Sequence, residues 1–402
     1  MDIHLTYDAK RAYHHITQLA FPRLVGSAGE AKAQAYIVQQ FAALGLVVSR
    51  ESFSFSKFPA EVLPRLVCGL FVPVVLSVPW LGERFPIPVC LVCLFSLFVA
   101  LFFTQWQKRF EGLYNVGRKY HSENIVATNG RKPNDNTPAL LFVAHYDSKS
   151  QVLPIAVRAV AYGIAIMGLI ALTTVIVIEV AIVNWLPDSV TLVWLPDSIV
   201  WSVAGTTTLC LLLLQINFTQ NRSPGGFDNA SGVGVMLEIA RVLVARGEEK
   251  SITFLAAGAE EYGMCGALRY VQAHADDYDR ENTYVINLDG LGVGNGVNVV
   301  TRYGIPTVRT TDMLAEMFHR SGKSLDIQVS ERYLPIGVGL DSIPIASRGF
   351  ETVTLTAGDV GSAALRIHSK GDRSDLLNVE SLQQVGELIV DVVERTATQA
   401  GS

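Results

Sequence analysis

The sequence predicts an α/β sandwich interrupted by two long apolar insertions. Three observations predict it. The run at 139–144 is continuously apolar, as strands are in a sheet covered on both faces, and 251–256 and 283–288 read as two further buried strands. Stretches 232–246 and 379–395 carry apolar residues at helical spacing, and strands alternating with helices imply a layered α/β architecture. Blocks 62–106 and 152–218 are too long and too poor in charge for strands or core helices. What remains, on the order of 290 residues, is enough for one large domain with a full core.

The other elements follow in order. Residues 8–45 read as helical, with Ala33, Tyr36, Ile37, Gln40 and Phe41 near one stripe and Gly45 as a natural stop. Residues 47–55 alternate like a strand, 124–128 form a short strand, and 352–355 form a further one.

Each apolar block reads as a membrane hairpin. The first splits at 79–84, Pro-Trp-Leu-Gly-Glu-Arg, into halves of about 20 residues, the length that crosses a bilayer core. The second runs through 155–183 and 198–216, around a repeat that places Trp185-Leu186-Pro187-Asp188 before Trp194-Leu195-Pro196-Asp197. Tryptophan, proline and aspartate suit a turn at the headgroup level. Four transmembrane helices are thus expected. The chain divides into a soluble domain begun at 1–61, continued at 107–151 and completed at 219–402, with hairpins at 62–106 and 152–218. Paired crossings return the chain to one compartment. Basic residues crowd the domain-side flanks, Lys57, Lys108, Arg109, Lys119, Lys149 and Arg222 among them, whereas Arg84 stands at a hairpin turn with Glu83. The N-terminal residues lack the basic and apolar regions of a signal peptide. The expectation is a multi-pass protein whose soluble domain faces the cytoplasm.

Half of the 402 residues are apolar, 17% are charged, and the net charge is −5. No basic tract marks a nucleic-acid partner. Of the five cysteines, Cys68, Cys90, Cys93 and Cys210 lie in the apolar blocks and Cys265 in the soluble part. Their spacing fits neither a disulfide framework nor a zinc knuckle. The hairpins contain few intramembrane charges, Glu179 being the main one, so no ion path is evident.

Five scattered stretches carry candidate ligands: Ala144–Ser148 with His145 and Asp147, Phe227–Gly232 with Asp228, Ala259–Gly263 with Glu260 and Glu261, Asn287–Gly290 with Asp289, and Ile367–Asp372 with His368. Two histidines with a surplus of carboxylates suit a pair of zinc-like ions better than one. Two such ions about 3.5–4 Å apart can share and activate a water for hydrolysis. Taken singly, each residue has a plainer reading; Asp228, before a helix, reads as an N-cap. Together, His145, Glu260, Glu261 and Asp289 all fall at the C-terminal ends of buried strands, the edge where open α/β sheets build sites.

The segments Phe-Val-Ala-His-Tyr-Asp-Ser, Asp-Asn-Ala-Ser-Gly and Ala-Glu-Glu-Tyr-Gly, in this order and with Arg23-Leu-Val-Gly-Ser27 near the start, resemble the M28 family of zinc peptidases. That family includes aminopeptidases, some carboxypeptidases and glutaminyl cyclase relatives. The resemblance covers nearly all of the soluble part. It implies a three-layer α/β/α sandwich around a mixed sheet. It implies two zinc ions, one held by His145, Asp228 and Asp289, the other by Asp228, Glu261 and His368. Glu260 would be the general base, and Asp147 would orient the His145 ring. Asp228–Asn229 would be a cis peptide. Two features depart from the family: the hairpins, and a late Ser-Asp-His segment that here reads Leu340-Asp341-Ser342 and loses its histidine. Tyr333 is a candidate oxyanion hydroxyl. The function expected is a membrane-anchored dizinc peptidase, most simply an aminopeptidase releasing N-terminal residues of a peptide substrate. The alternatives are a single-zinc, glutaminyl-cyclase-like acyltransferase and a non-catalytic binding or receptor module.

Overall fold

The buried runs read from the sequence form strands, and the sheet they build has two clothed faces. The computed structural model describes residues 5–102, 111–132, 138–185, 196–304, 307–334 and 339–399. The chain divides into two compact units: 1–57, 114–150 and 220–402 make the first, 58–113 and 151–219 the second.

In the first unit, residues 8–45 are not one helix. Helix α1 (Ala9–Leu19) starts at the Asp8 cap, and α2 (Ala28–Ala43) starts afresh at Ser27, whose hydroxyl accepts from Glu30 N. Pro22 and Gly26, the latter with φ of 84°, break the helical path between them. Strands β1 (Val47–Ser56), β2 (Lys119–Thr128) and β3 (Ala139–His145) follow. A two-stranded ribbon, β4 (Ser150–Gln151) with β5 (Thr219–Gln220), stands apart. Next come α7 (Ser231–Ala245), β6 (Ile252–Ala257), α8 (Cys265–His274), β7 (Thr283–Leu288), β8 (Val297–Tyr303), β9 (Val308–Arg309), α9 (Met313–Leu325) and β10 (Val329–Leu334). The chain closes with α10 (Ser342–Ala346), β11 (Glu351–Ala357), α11 (Gly361–Ala364) and α12 (Val379–Gln399). The main sheet runs β1-β2-β6-β3-β7-β11-β8-β10, with β9 paired to β8. It is mixed: β6, β3, β7 and β11 are mutually parallel, while β1, β2 and β8 meet neighbours antiparallel.

The strand period of two clothes both faces. From β3, Leu140, Phe142 and Ala144 join a core with α1, α2, α7, α9 and α12, including Ile16, Phe41, Val235, Phe318 and Leu388. Leu141 and Val143 point the other way, onto Ala267 and Val271 of α8 and Ile345 of α10. This is an α/β/α sandwich.

The second unit holds α3 (Leu63–Leu81), α4 (Pro86–Phe102), α5 (Ile155–Trp185) and α6 (Asp197–Gln215). Its core gathers Val75, Cys93, Leu172, Ile176, Ala204 and Leu211. A Cβ on Gly168 would lie 1.9 Å from Thr207 Oγ1, so α5 and α6 touch there only because that residue is glycine. The expectation of four membrane-length helices is corrected. Among the described residues three are long and apolar enough to span: Phe58–Leu81, Ile155–Ile182 and Asp197–Gln215. The described part of α4, at about 1.5 Å per residue, reaches only about 26 Å against a core of about 30 Å. Residues 103–106 and the turn at 186–195 lie outside the described residues.

Candidate metal centre

Parallel strands deliver the site. Because β6, β3 and β7 are parallel neighbours, their C-terminal ends open at one edge. His145 ends β3, Asp289 follows β7, and Glu260–Tyr262 form a 3₁₀ turn after β6. Asp228 enters from the loop before α7, and its peptide bond to Asn229 is cis. It does not cap α7. That task falls to Asn229, whose Oδ1 accepts from Gly232 N at 2.9 Å and whose Nδ2 donates to the Leu288 carbonyl at 2.8 Å. Asp228 is left to face the site.

The two oxygens of Asp228 face different histidines. Oδ1 is 3.2 Å from His145 Nε2, and Oδ2 is 3.4 Å from His368 Nε2. Asp289 Oδ1 lies 3.8 Å from His145 Nε2, and Glu261 Oε2 lies 2.9 Å from His368 Nε2. Two donor sets result, His145–Asp228–Asp289 and Asp228–Glu261–His368, with the donor atoms of each within 4.8 Å of one another. Imidazole and carboxylate donors at such spacing suit zinc, and Asp228 belongs to both sets. Glu260 stands beside them, its Oε2 3.9 Å from His145 Nε2. The structure thus brings together the five candidate ligands named from the sequence, with Glu260 beside them.

Asp147 does something the sequence does not announce. Its carboxylate accepts from Glu260 N at 3.0 Å and Glu261 N at 3.2 Å. His145 Nδ1 is 3.6 Å from that carboxylate and 3.2 Å from the Asp147 main-chain carbonyl. Its side chain therefore holds the acidic turn first and the imidazole second. The Tyr333 hydroxyl donates to the Gly304 carbonyl at 2.7 Å.

Three further residues escaped assignment. Arg23, fully buried, donates to the carbonyls of Leu19, Phe21, Tyr146, Pro224 and Gly225, bracing the loop that leads to Asp228. Burial, opposed by Asp372, Asp147, Asp228 and Glu261, pushes its pKa down to about 10. Asp372 accepts from Phe227 N and Asp228 N. Asp341 is buried with neither oxygen hydrogen-bonded among the described residues. Burial, opposed by His145 and reinforced by Asp147 and Asp289, pushes its pKa up to about 8. Burial likewise raises Glu260 well above the usual carboxylate range, against the pull of His145 and with the push of Glu261, Asp341 and Asp289. Glu261 goes the other way: burial would raise it, but His368 and Lys149 outweigh burial and hold it below the ordinary value. Arg23 and Asp372 lay inside quoted motifs; their partners, distant in sequence, carry the signal.

Residues 208–393 match the sequence model of Peptidase family M28. That stretch is similar to the M28 peptidases. His145 and Asp147 lie upstream of the matched stretch. Aminopeptidase YwaD of Bacillus subtilis is 30% identical over 175 residues, which are 42% of this chain and 37% of that protein. The matched part thus spans little more than a third of that relative's length. An aminopeptidase from Aneurinibacillus sp. strain AM-1 shares the fold with a TM-score of 0.57 at 16% identity, over 98% of this chain and 95% of the other. An Acidobacteriales bacterium glutaminyl cyclase shares it at 0.54 and 14%, over 98% and 96%.

Proposed function

We propose that the protein is a membrane-anchored dizinc exopeptidase, most simply an aminopeptidase. One observation carries this reading: two donor sets meet at a single bridging carboxylate, Asp228. His145, Asp228 and Asp289 would hold one ion, and Asp228, Glu261 and His368 the other. Zinc bound there would supply Lewis acidity toward the scissile carbonyl. The chain's own groups do the rest. Glu260, next to both sets but in neither, takes a proton from the attacking water and returns it to the leaving amine nitrogen. Asp147 keeps Glu260 and Glu261 at a fixed separation through their backbone N–H groups.

The test is the purified chain in detergent, with metal content measured and peptides offered with free and blocked N-termini. The reading expects two ions per chain and cleavage of free N-termini only. Full activity with one ion would favour the cyclase-like reading. Two ions with no hydrolysis of any peptide would favour a binding module.

The three span-length helices support anchoring in a bilayer. The basic flanks support a cytoplasmic soluble unit. Labelling from outside intact cells should reach a cysteine placed at Glu83 and miss one placed at Ser369. The reverse pattern would put the metal centre on the other face.

A further inference from the structure

Glu260 and Glu261 are adjacent carboxylates in one turn, yet their surroundings differ. Glu261 is gripped at all four of its polar atoms by residues 147–149. Its N–H donates to Asp147 Oδ2 at 3.2 Å. Its carbonyl accepts from Lys149 Nζ at 2.8 Å. Its Oε1 accepts from Lys149 N at 3.0 Å, and its Oε2 lies 3.0 Å from Lys149 Nζ. Glu260 shares the Asp147 bond at its N–H, but its carboxylate makes no hydrogen bond among the described residues. A ligand must hold one direction, whereas a base needs a free lone pair. The grip falls on the residue that needs it.

We propose that Lys149 is a positioning residue for Glu261, and through it for one of the two ions; this rests on the two-ion reading above. A carboxylate offers about four lone-pair sites. Lys149 occupies one on each oxygen and leaves one on each open. His368 Nε2 already faces the open side of Oε2. The Lys149 side chain is 17% exposed and that of Glu261 3%, so little solvent competes for these contacts. The same turn is held from elsewhere by Lys57 Nζ, 2.9 Å from Tyr262 Oη, and by Tyr114 Oη, which donates to the Gly263 carbonyl at 3.0 Å. Lys57, Tyr114 and Lys149 all border the apolar insertions, so the residues that orient the ligand turn are also those from which the insertions depart.

A lysine beside a ligand has a second physical effect. Its charge repels both ions, so losing it acts on both in the same direction, toward tighter binding. Position and charge can therefore be separated. The experiment titrates the full chain in detergent with Co²⁺ against a competing chelator, following the visible absorption of each bound ion. Wild type, Lys149→Met and Lys149→Arg are compared. Wild type should take up two ions. Lys149→Met should weaken one about 10–100-fold, the range expected when a partner of a metal ligand is lost, with the absorption of that ion altered and the other ion held as before or more tightly. Lys149→Arg, which keeps a charged donor, should recover most of the loss. If circular dichroism shows the Met variant unfolded, Lys149→Gln is read by the same criterion. Two ions held as tightly as in wild type, or both more tightly, would overturn the proposal. A wild type that takes up fewer than two ions would overturn the two-ion reading, and this inference with it.

Discussion

The two units solve opposite solvent problems. In the first, large apolar side chains such as Phe142, Phe254 and Phe318 are wholly inside, and those left outside, such as Val47, are scattered singly. In the second, apolar residues line the outside along whole helices: Leu66 and Leu70 on α3, Leu91 and Phe95 on α4, Val160 and Met167 on α5, Leu209 and Leu212 on α6. Its interior is no more apolar, holding Ser96, Thr173 and Thr207. Burial of apolar area drives packing in the first unit. In the second, helices touch closely at small residues such as Gly168, the kind of contact that the proposed bilayer setting would favour. Chemistry segregates too. The first unit gathers buried carboxylates at a sheet edge, where burial and neighbouring charges act on them together.

Four experiments break or sharpen this contrast. If catalysis belongs to the first unit alone, Asp228→Ala should remove both ions and most of the rate enhancement, about 10⁶-fold or more. Metal analysis and hydrolysis of an N-terminally free peptide read it, and retention of either ion with activity would refute the bridging role. Next, Glu260→Gln should lower kcat by about 10²–10⁴-fold with both ions kept. A near-normal kcat would return Glu260 to a structural role. Third, Leu70→Lys should cost about 2.5–3.5 kcal/mol of membrane insertion, seen as lost membrane-bound yield. Val47→Lys, equally exposed in the first unit, should change stability by less than about 0.5 kcal/mol. Equal effects would erase the contrast between the units. The smallest effect concerns His274. Burial lowers its pKa, but Asp277 and Glu51, 2.8 and 3.1 Å from its ring nitrogens, raise it further and win. A histidine with a raised folded pKa stabilises fully below its unfolded value, near 6.5, and loses that contribution as pH rises through the folded pKa. His274→Gln should therefore flatten the fall in Tm between pH 6 and 8, and an unchanged profile would show that the pair contributes nothing.

Much of this was written locally in the sequence. Strands β3, β6 and β7 are fully buried, so their composition is mostly apolar and readable. Strands β8 and β10 were missed because they are mixed or exposed: Val-Ser-Glu-Arg-Tyr-Leu at the sheet margin has no continuous apolar run. The helical reading of 8–45 failed at Pro22 and Gly26, where turn chemistry overrides an apolar stripe. The candidate ligands were legible because donor types recur at strand ends. The hold of Asp147 on the Glu260–Glu261 turn was not, because its acceptor role joins residues more than a hundred positions apart.

Strand order also sets a schedule. The neighbours of β3 are β6 and β7, both made only after the second insertion has been translated. At about 5–20 residues per second, a fully apolar strand waits on the order of ten seconds without a partner on either side. An unpaired apolar strand is a template for aggregation. Synthesis of this protein therefore has a vulnerable interval, set by where the insertions interrupt the chain. Slowing translation between residues 145 and 252 should lengthen it and lower the soluble-domain yield, even though the finished protein would be identical.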